Sequence, residues 1–123
     1  MKMIIDSITK TITNFVKGGD TSDLELLNKV LHSDFRVTSN SFMGKVGVVV
    51  INKEQYLSNI GKGIFGGSPR TMVIETIDYF ETIAYVKLRL ESNENLFVSY
   101  NSLVLDVDKE WKLINNHALV TSK

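Results

Sequence analysis

Apolar residues recur at intervals of three and four in the first third of the chain and predict two helices. The first helix is predicted over residues 4–16 and ends at Gly18-Gly19, because glycine readily adopts the left-handed conformation of a helix C-terminus. Ser22 and Glu25 have the spacing of a capping box, which predicts that a second helix begins there. Its buried stripe is predicted to consist of Leu24, Leu27, Val30 and Leu31.

Alternation of apolar and polar residues predicts strands over most of the remaining chain. These strands are predicted at 35–39, 46–51, 71–80, 83–91, 96–107 and 111–120, with a helix at 53–60 that Asn52 and Gln55 cap. Residues 61–70 hold four of the eight glycines and the only proline, which indicates a loop. Helices beside an antiparallel meander make an α+β fold, and 123 residues suit a single domain spanning 1–123.

Composition and charge exclude several classes of partner and cofactor. Fourteen basic residues balance fourteen acidic ones, so neither the basic patch of a nucleic-acid binder nor the polybasic run of a membrane binder is present. The chain has no cysteine and no motif with metal-ligand or phosphate-binding spacing, so we predict neither a metal nor a cofactor. Asp6 interrupts the apolar start, which argues against a signal peptide and predicts a cytoplasmic protein.

The register across the last turn predicts where a site would lie. If residues 108–110 form that turn, Val107 pairs with Trp111. Alternating side chains of the two strands then share one face, apolar near the turn and polar beyond it. Asn101 and His117 would then be cross-strand neighbours. From the turn outward, the predicted face comprises Trp111, Leu105, Leu113, Leu103, Asn115, Asn101 and His117.

The preceding hairpin is predicted to have a second apolar face. Pairing Tyr79 with Ala84 sets Glu75 opposite Leu88, as an acid beside the core. The outer face would carry Ile74, Phe80, Ile83, Tyr85, Lys87 and Arg89. Exposed apolar residues on such a face predict a homodimer contact, and the valine-rich segment 46–51 should likewise be covered on both sides.

Two stretches resemble the nuclear transport factor 2-like (cystatin-like) superfamily. FVKGGDTSDLELLNKVLHSDFRV, residues 15–37, is similar to the family's passage from its first helix to its first strand, and EWKLINN, residues 110–116, to its closing strand. The pattern is closest to the lumazine-binding-like and polyketide cyclase-like subfamilies. The resemblance implies helices packed in the concave face of a curved antiparallel sheet, an α+β cone with an apolar pocket at its open end.

The resemblance also implies which catalytic roles are missing. Ketosteroid-isomerase-like members use a carboxylate base on the first strand, and a tyrosine with a protonated acid as oxyanion hole. The corresponding positions here are Ser39, Phe15 and Asn101. A serine without its own base cannot abstract a proton from carbon, and phenylalanine has no hydroxyl group.

Three functions remain open on these residues. The first is a small-molecule-binding protein for an aromatic or heterocyclic ligand, with a pocket formed by Phe15, Ser39, Glu75, Asn101, Leu103, Trp111, Leu113, Asn115 and His117. The second is a cyclase, isomerase or hydratase with His117 as acid/base, and the third is a non-catalytic dimeric scaffold. The simpler interpretations are that His117 lies at an exposed strand end, that Glu75 lies at the sheet rim, and that Trp111 anchors the core.

Overall fold

The computed structural model describes residues 2–40 and 46–123, and in these ranges the chain forms three helices and one six-stranded sheet. The elements are α1 (Lys2–Thr21), α2 (Leu24–Val30), β1 (Leu31–Asn40), β2 (Val48–Asn52), α3 (Lys53–Gly61), β3 (Thr71–Phe80), β4 (Ile83–Glu91), β5 (Asn95–Leu105) and β6 (Trp111–Ser122). The strand order is β2-β1-β6-β5-β4-β3. The predicted α+β class, with helices on the concave face of a curved sheet, is confirmed.

One strand pairing differs from the antiparallel pattern of the others. The first strand, β1, pairs with the last, β6, in parallel, whereas the other four pairings are antiparallel. A parallel pair requires a long connection, and here nearly the whole chain provides it. The pairing brings the residues of β1 that face the helices alongside those of β6, in the middle of the sheet.

The core lies between α1 and the concave face. Ile8, Ile12 and Phe15 of α1 are buried, and the ring of Phe15 lies 6.2 Å from that of Phe35 and 6.0 Å from that of Tyr56. Such tilted arrangements are favourable for aromatic pairs. The opposite side of α1 is polar, and within the described ranges no helix is both long and apolar enough to cross a membrane.

The glycine pair Gly18-Gly19 lies inside α1, not at its end. A Cβ atom on Gly18 would lie 2.7 Å from Cγ of Leu27, so the glycine permits α2 to pack closely against α1. The predicted end of the first helix is therefore wrong. Glycine is favoured both at helix termini and where two helices approach closely, so its presence alone does not distinguish the two. The helix continues to Thr21.

The start of α2 is also one residue later than predicted. Ser22, with a left-handed φ of 52°, ends α1, and Asp23 is the N-cap, its Oδ1 accepting a hydrogen bond from the backbone N–H of Leu26 at 3.1 Å. The capping box predicted at Ser22 is therefore wrong. The capping box predicted for Asn52 and Gln55 is confirmed at the start of α3.

The edge strand β2 is not covered on both faces within the chain, so the predicted coverage of segment 46–51 at a dimer contact stays a prediction. Val48, Val49 and Val50 are 59%, 43% and 56% exposed, and only Ile51 packs against the core. The strand pairs with β1 on one side and has a free edge on the other.

Candidate functional site on the concave face of the sheet

A bulge between β5 and β6 decides which side chains face the helices. Leu103 pairs with Leu113 on the turn side of the bulge, and Asn101 pairs with Asn116 beyond it. Ile114 is the extra residue of β6. The predicted register is thus wrong by two residues near the turn and by one beyond the bulge.

The error near the turn arises because the loop is longer than predicted. The backbone N–H of Asp106 donates to the carbonyl of Glu110 at 2.9 Å, and Lys109 adopts a left-handed φ of 66°. Val107 lies almost fully exposed at the tip instead of pairing with Trp111. Lys112 holds the loop, its Nζ lying 3.2 Å from Oδ2 of Asp106.

Because side chains alternate along a strand, the error of one residue beyond the bulge assigns the side chains there to the wrong face of the sheet. A shift of two residues leaves the apolar set near the turn on the concave face, whereas a shift of one exchanges faces. Asn115 and His117 consequently lie on the convex face, where His117 is exposed and its Nε2 lies 2.9 Å from Oδ1 of Asn40. Asn115 accepts a hydrogen bond from Thr38. The prediction that both point into the cone is wrong.

Asn116, which the sequence analysis did not select, takes the inward position. Its Nδ2 donates to Oδ1 of Asn101 at 2.6 Å, and Nδ2 of Asn101 donates to Oγ of Ser99 at 3.0 Å and to the carbonyl of Val86 at 3.2 Å. Asn101 is fully buried and Asn116 is 8% exposed. We call Ser39, Ser99, Asn101 and Asn116 the polar strip, since all four lie buried on the concave face.

Ser39 differs from the rest of the polar strip because its hydroxyl group has no partner. The residue is 5% exposed, and within residues 2–40 and 46–123 its Oγ is the sole buried side-chain N or O atom without a hydrogen bond. Ser39 pairs with Ala118 of β6, two residues beyond Asn116. An unpaired buried hydroxyl group costs about 1–3 kcal/mol, so native proteins rarely retain one without a reason.

The predicted apolar residues belong to the core, and those of β5 and β6 lie between the polar strip and the turn. Phe15, Leu103, Trp111 and Leu113 are buried in the core, and Leu105 is partly buried against it. Their contribution to ligand binding remains a prediction. Thr11 of α1 donates to the carbonyl of Trp111 at 3.0 Å, which fixes the helix against the start of β6.

Glu75 lies on the convex face and not beside the core. A second bulge sets Glu75 and Thr76 opposite Lys87, so the side chain of Glu75 points outward and lies 3.4 Å from Nζ of Lys87. The nearby Tyr100 and Glu75 raise the pKa of Lys87. His117 lies on a strand three positions from β3, so the structure does not bring it together with Glu75. In the described part of the chain, no group of three or more His, Asp or Glu side chains is arranged so that it could hold a metal ion.

The loop of residues 62–70, here the cover loop, closes one end of the concave face. Its Gly67 N–H donates to the carbonyl of Gly19 at 2.9 Å, and Nε of Arg70 lies 2.6 Å from Oδ1 of Asp20. The guanidinium group also lies over the ring of Phe97, 4.9 Å from its centroid. A groove of about 460 Å³ lies beside these contacts of the cover loop. It is lined by Thr13, Val16, Lys17, Asp20, Thr21, Pro69 and Met72.

Tyr56 connects the cover loop to the core. Its ring lies 6.1 Å from that of Phe65 in the loop and 5.5 Å from that of Phe35 beneath it. Burial raises the pKa of the Tyr56 phenol to about 12, against a smaller lowering effect of Arg70. Folding therefore favours the neutral form of the Tyr56 side chain.

Tyr56→Phe is expected to protect the fold at alkaline pH. The folded-state pKa exceeds the unfolded value of 10.0, so the stability from the neutral phenol is complete below pH 10 and is lost as the pH rises through 12. At pH 12 the wild type should have lost about 2 kcal/mol that the variant retains. Urea unfolding from neutral to alkaline pH measures this difference, and identical pH profiles for the two proteins would contradict it.

Comparison with known families gives a match over most of the chain. A model of the family described as "Putative lumazine-binding" matches residues 4–117. A search of curated protein sequences finds no significant match.

Solved structures of the same architecture are numerous. A nuclear transport factor 2-like protein of unknown function from Silicibacter pomeroyi matches with a TM-score of 0.84 at 10% identity, over 98% of each chain. One from Shewanella baltica, also of unknown function, matches with a TM-score of 0.83 at 15% identity, over 98% of this chain and 96% of that one. A ketosteroid isomerase-like protein from Erwinia carotovora atroseptica matches with a TM-score of 0.77 at 10% identity, over 96% of each chain. At these identities the likeness concerns the fold.

Proposed function

We propose that this chain, which belongs to the lumazine-binding-like family of the nuclear transport factor 2-like superfamily, binds a small uncharged heterocycle against the polar strip. The observation that carries the proposal is the buried, unpartnered hydroxyl group of Ser39 beside the hydrogen-bonded amides of Asn116 and Asn101. A ligand that pairs with Ser39 would satisfy the one buried side-chain group that folding leaves unpaired among residues 2–40 and 46–123.

The chemistry of the polar strip indicates the class of ligand. Its four side chains are two amides and two hydroxyl groups, which donate and accept hydrogen bonds without carrying charge. Apolar neighbours such as Leu103 and Phe15 favour a flat, mostly apolar body. A ring system with amide-like edges suits both features, because a charged ligand would be buried without a counter-ion.

We propose that the cover loop moves to admit the ligand, because its Arg70 lies over Phe97, two residues before Ser99 on β5. The strip is buried, and the loop is held by the ring contact between Phe65 and Tyr56 and by the ion pair between Arg70 and Asp20. Both contacts join the loop to helices, and opening would also separate Arg70 from Phe97 of β5. We expect ligand binding to be coupled to opening of this loop.

Binding is favoured over catalysis by the residues at the isomerase positions. Ser39 and Asn101 lie on the concave face, and Phe15 is buried in the core, but none of the three is an acid or a base at neutral pH. The alternative enzyme with His117 as acid/base finds no support, since His117 is exposed on the opposite face. The cytoplasmic location remains a prediction from sequence.

Ser39→Ala is expected to raise stability and weaken binding at the same time. Removing an unpaired buried hydroxyl group should stabilise the protein by about 1 kcal/mol, while the lost ligand hydrogen bond should weaken binding about fivefold to tenfold. The probe is lumazine, the heterocycle named in the family description. Its fluorescence gives the binding constant and urea unfolding gives the stability.

Ser99→Ala is the matched control for Ser39→Ala. The hydroxyl group of Ser99 accepts a hydrogen bond from Asn101, so its removal leaves a buried donor unpaired and should destabilise the protein. A gain in stability for Ser39→Ala together with a loss in stability for Ser99→Ala supports the proposal. If the wild type binds no lumazine and native mass spectrometry finds no co-purified small molecule, the proposal fails. A stability loss for Ser39→Ala would equally contradict it.

A further inference from the structure

The groove beside the cover loop lies between one side of α1 and the start of β3, and we call it the α1 groove. Val16 of α1 and Met72 of β3 contribute apolar walls, and Pro69 of the cover loop completes them. Val16 is buried and Met72 packs against the core, so the walls continue the core to the surface. The groove is open to solvent, so a ligand reaches it without opening of the cover loop.

One charge at the α1 groove has no counter-charge. Both carboxylate oxygens of Asp20 are bound to Arg70, whose Nε lies 2.6 Å from Oδ1 and whose backbone N–H donates to Oδ2 at 3.2 Å. Lys17 also lines the groove and is exposed, and none of the ion pairs within residues 2–40 and 46–123 includes it. The complement of apolar walls with one unbalanced positive charge is an apolar chain that carries one negative charge.

The size of the α1 groove fits a small flexible molecule better than a macromolecule. Its volume of about 460 Å³ lies within the range of about 300–1,000 Å³ that is usual for small-molecule sites. Along α1 it extends from Thr13 to Thr21, about 12 Å at the helical rise. A protein partner would bury about 800 Å² on its side. The adjacent edge strand β3 also opposes the addition of a further strand, because it carries a bulge and the charges of Glu75 and Asp78.

We propose that the α1 groove binds a medium-chain fatty acid, with the alkyl chain against Val16 and Met72 and the carboxylate at Lys17. Burial of the chain supplies most of the affinity, since each fully buried methylene group strengthens binding about fourfold. An ion pair at an exposed lysine contributes little, so Lys17 selects the sign of the head group more than it adds affinity. The proposal does not depend on the heterocycle proposed above, because the α1 groove and the polar strip share no residue.

Titration calorimetry with decanoate, octanoate and decylamine, each below its micelle concentration, tests the class of ligand. Decanoate should bind about tenfold more tightly than octanoate, because it buries two further methylene groups. Decylamine has a chain of the same length with a positive head group, and it should bind about fivefold more weakly than decanoate. Absence of decanoate binding overturns the proposal, and so does decylamine binding as tight as that of decanoate.

Lys17→Glu and Lys10→Glu form a matched pair that tests the position of the carboxylate. Both lysines are exposed on the same side of α1, two turns apart, but only Lys17 lines the groove. Lys17→Glu should weaken decanoate binding about fivefold to tenfold, and Lys10→Glu should leave it unchanged. If Lys17→Glu does not fold by circular dichroism, Lys17→Gln should give a loss of about threefold. Equal effects at the two positions overturn the proposal.

The methyl signals of the methionines locate the alkyl chain directly by nuclear magnetic resonance. Met72 lines the groove, whereas Met3, at the start of α1, is 80% exposed and does not. Saturating decanoate should shift the methyl signal of Met72 and leave that of Met3 in place. A Met72 signal that does not move while calorimetry records binding would assign the fatty acid to another surface and overturn the proposal.

Discussion

Gly66→Ala should cost the protein about 3 kcal/mol of stability. Gly66 has a left-handed φ of 75°, which costs an alanine about 1–2 kcal/mol. A Cβ atom there would also overlap the backbone carbonyl of Gly19, which cannot rotate away as a side chain can. The cover loop would have to withdraw from α1, and such overpacking adds about 1–3 kcal/mol. Urea unfolding measures the loss.

Gly63→Ala separates the two contributions. Gly63 lies in the same loop with the same φ of 75°, but nothing lies within 4 Å of the position of its Cβ atom. Gly63→Ala should therefore lose the backbone part alone, about 1–2 kcal/mol. If the two variants lose the same stability, the contact between the cover loop and Gly19 does not stabilise the fold. The hydrogen bond from Gly67 to Gly19 would then be without consequence.

Asn101→Leu should destabilise the fold by about 3–4 kcal/mol, through two groups left unpaired. Nδ2 of Asn116 loses its acceptor and Oγ of Ser99 loses its donor, each at a cost of about 1–3 kcal/mol in a buried setting. Leucine branches like asparagine but is larger, so overpacking at this fully buried position adds to the loss. Asn115→Leu, the same change on the convex face, should cost less than about 1 kcal/mol.

The double variant Asn101→Leu/Asn116→Leu tests whether the two amides act as a pair. Replacing both partners of a buried hydrogen bond by apolar groups is nearly neutral, so the double variant should be more stable than Asn101→Leu alone. Additive losses would show that the bond of 2.6 Å between them contributes nothing of its own. Midpoints of urea unfolding, with unchanged slopes, give the stabilities of the four proteins in the cycle: the wild type, Asn101→Leu, Asn116→Leu and the double variant.

Periodicity was sufficient to predict that these elements exist, although β1 begins at Leu31, a residue predicted to belong to the second helix. The predicted strands at 71–80 and 83–91 match β3 (Thr71–Phe80) and β4 (Ile83–Glu91), because both alternate regularly between a buried and an exposed face. The cap of α3 was also predictable, since a capping box is local in sequence. Gly18 misled because one residue type serves helix ends and close helix contacts alike, and only the position of Leu27 distinguishes them.

On β6 the candidate site was predictable only as far as the first bulge, whereas Ser39 on β1 and Asn101 on β5 lie on the concave face as predicted. Leu103 and Leu113 were assigned to the correct face, since an error of two residues preserves it. Beyond Ile114 the assignment failed, and the same happened at Glu75 on β3. A bulge arises from how neighbouring strands bend and twist together, and the sequence of one strand carries little trace of it. Asn115, Asn116 and His117 are three consecutive polar residues, and of these only Asn116 lies on the concave face.

The bulge at Ile114 also makes this point of β6 more tolerant of a change in chain length than the rest of the strand. Loss of the Ile114 codon would restore regular alternation, keep Asn116 opposite Asn101 and leave every later side chain of β6 on its present face. Relatives that lack one residue at this point would therefore carry the same inward side chains on a straighter strand.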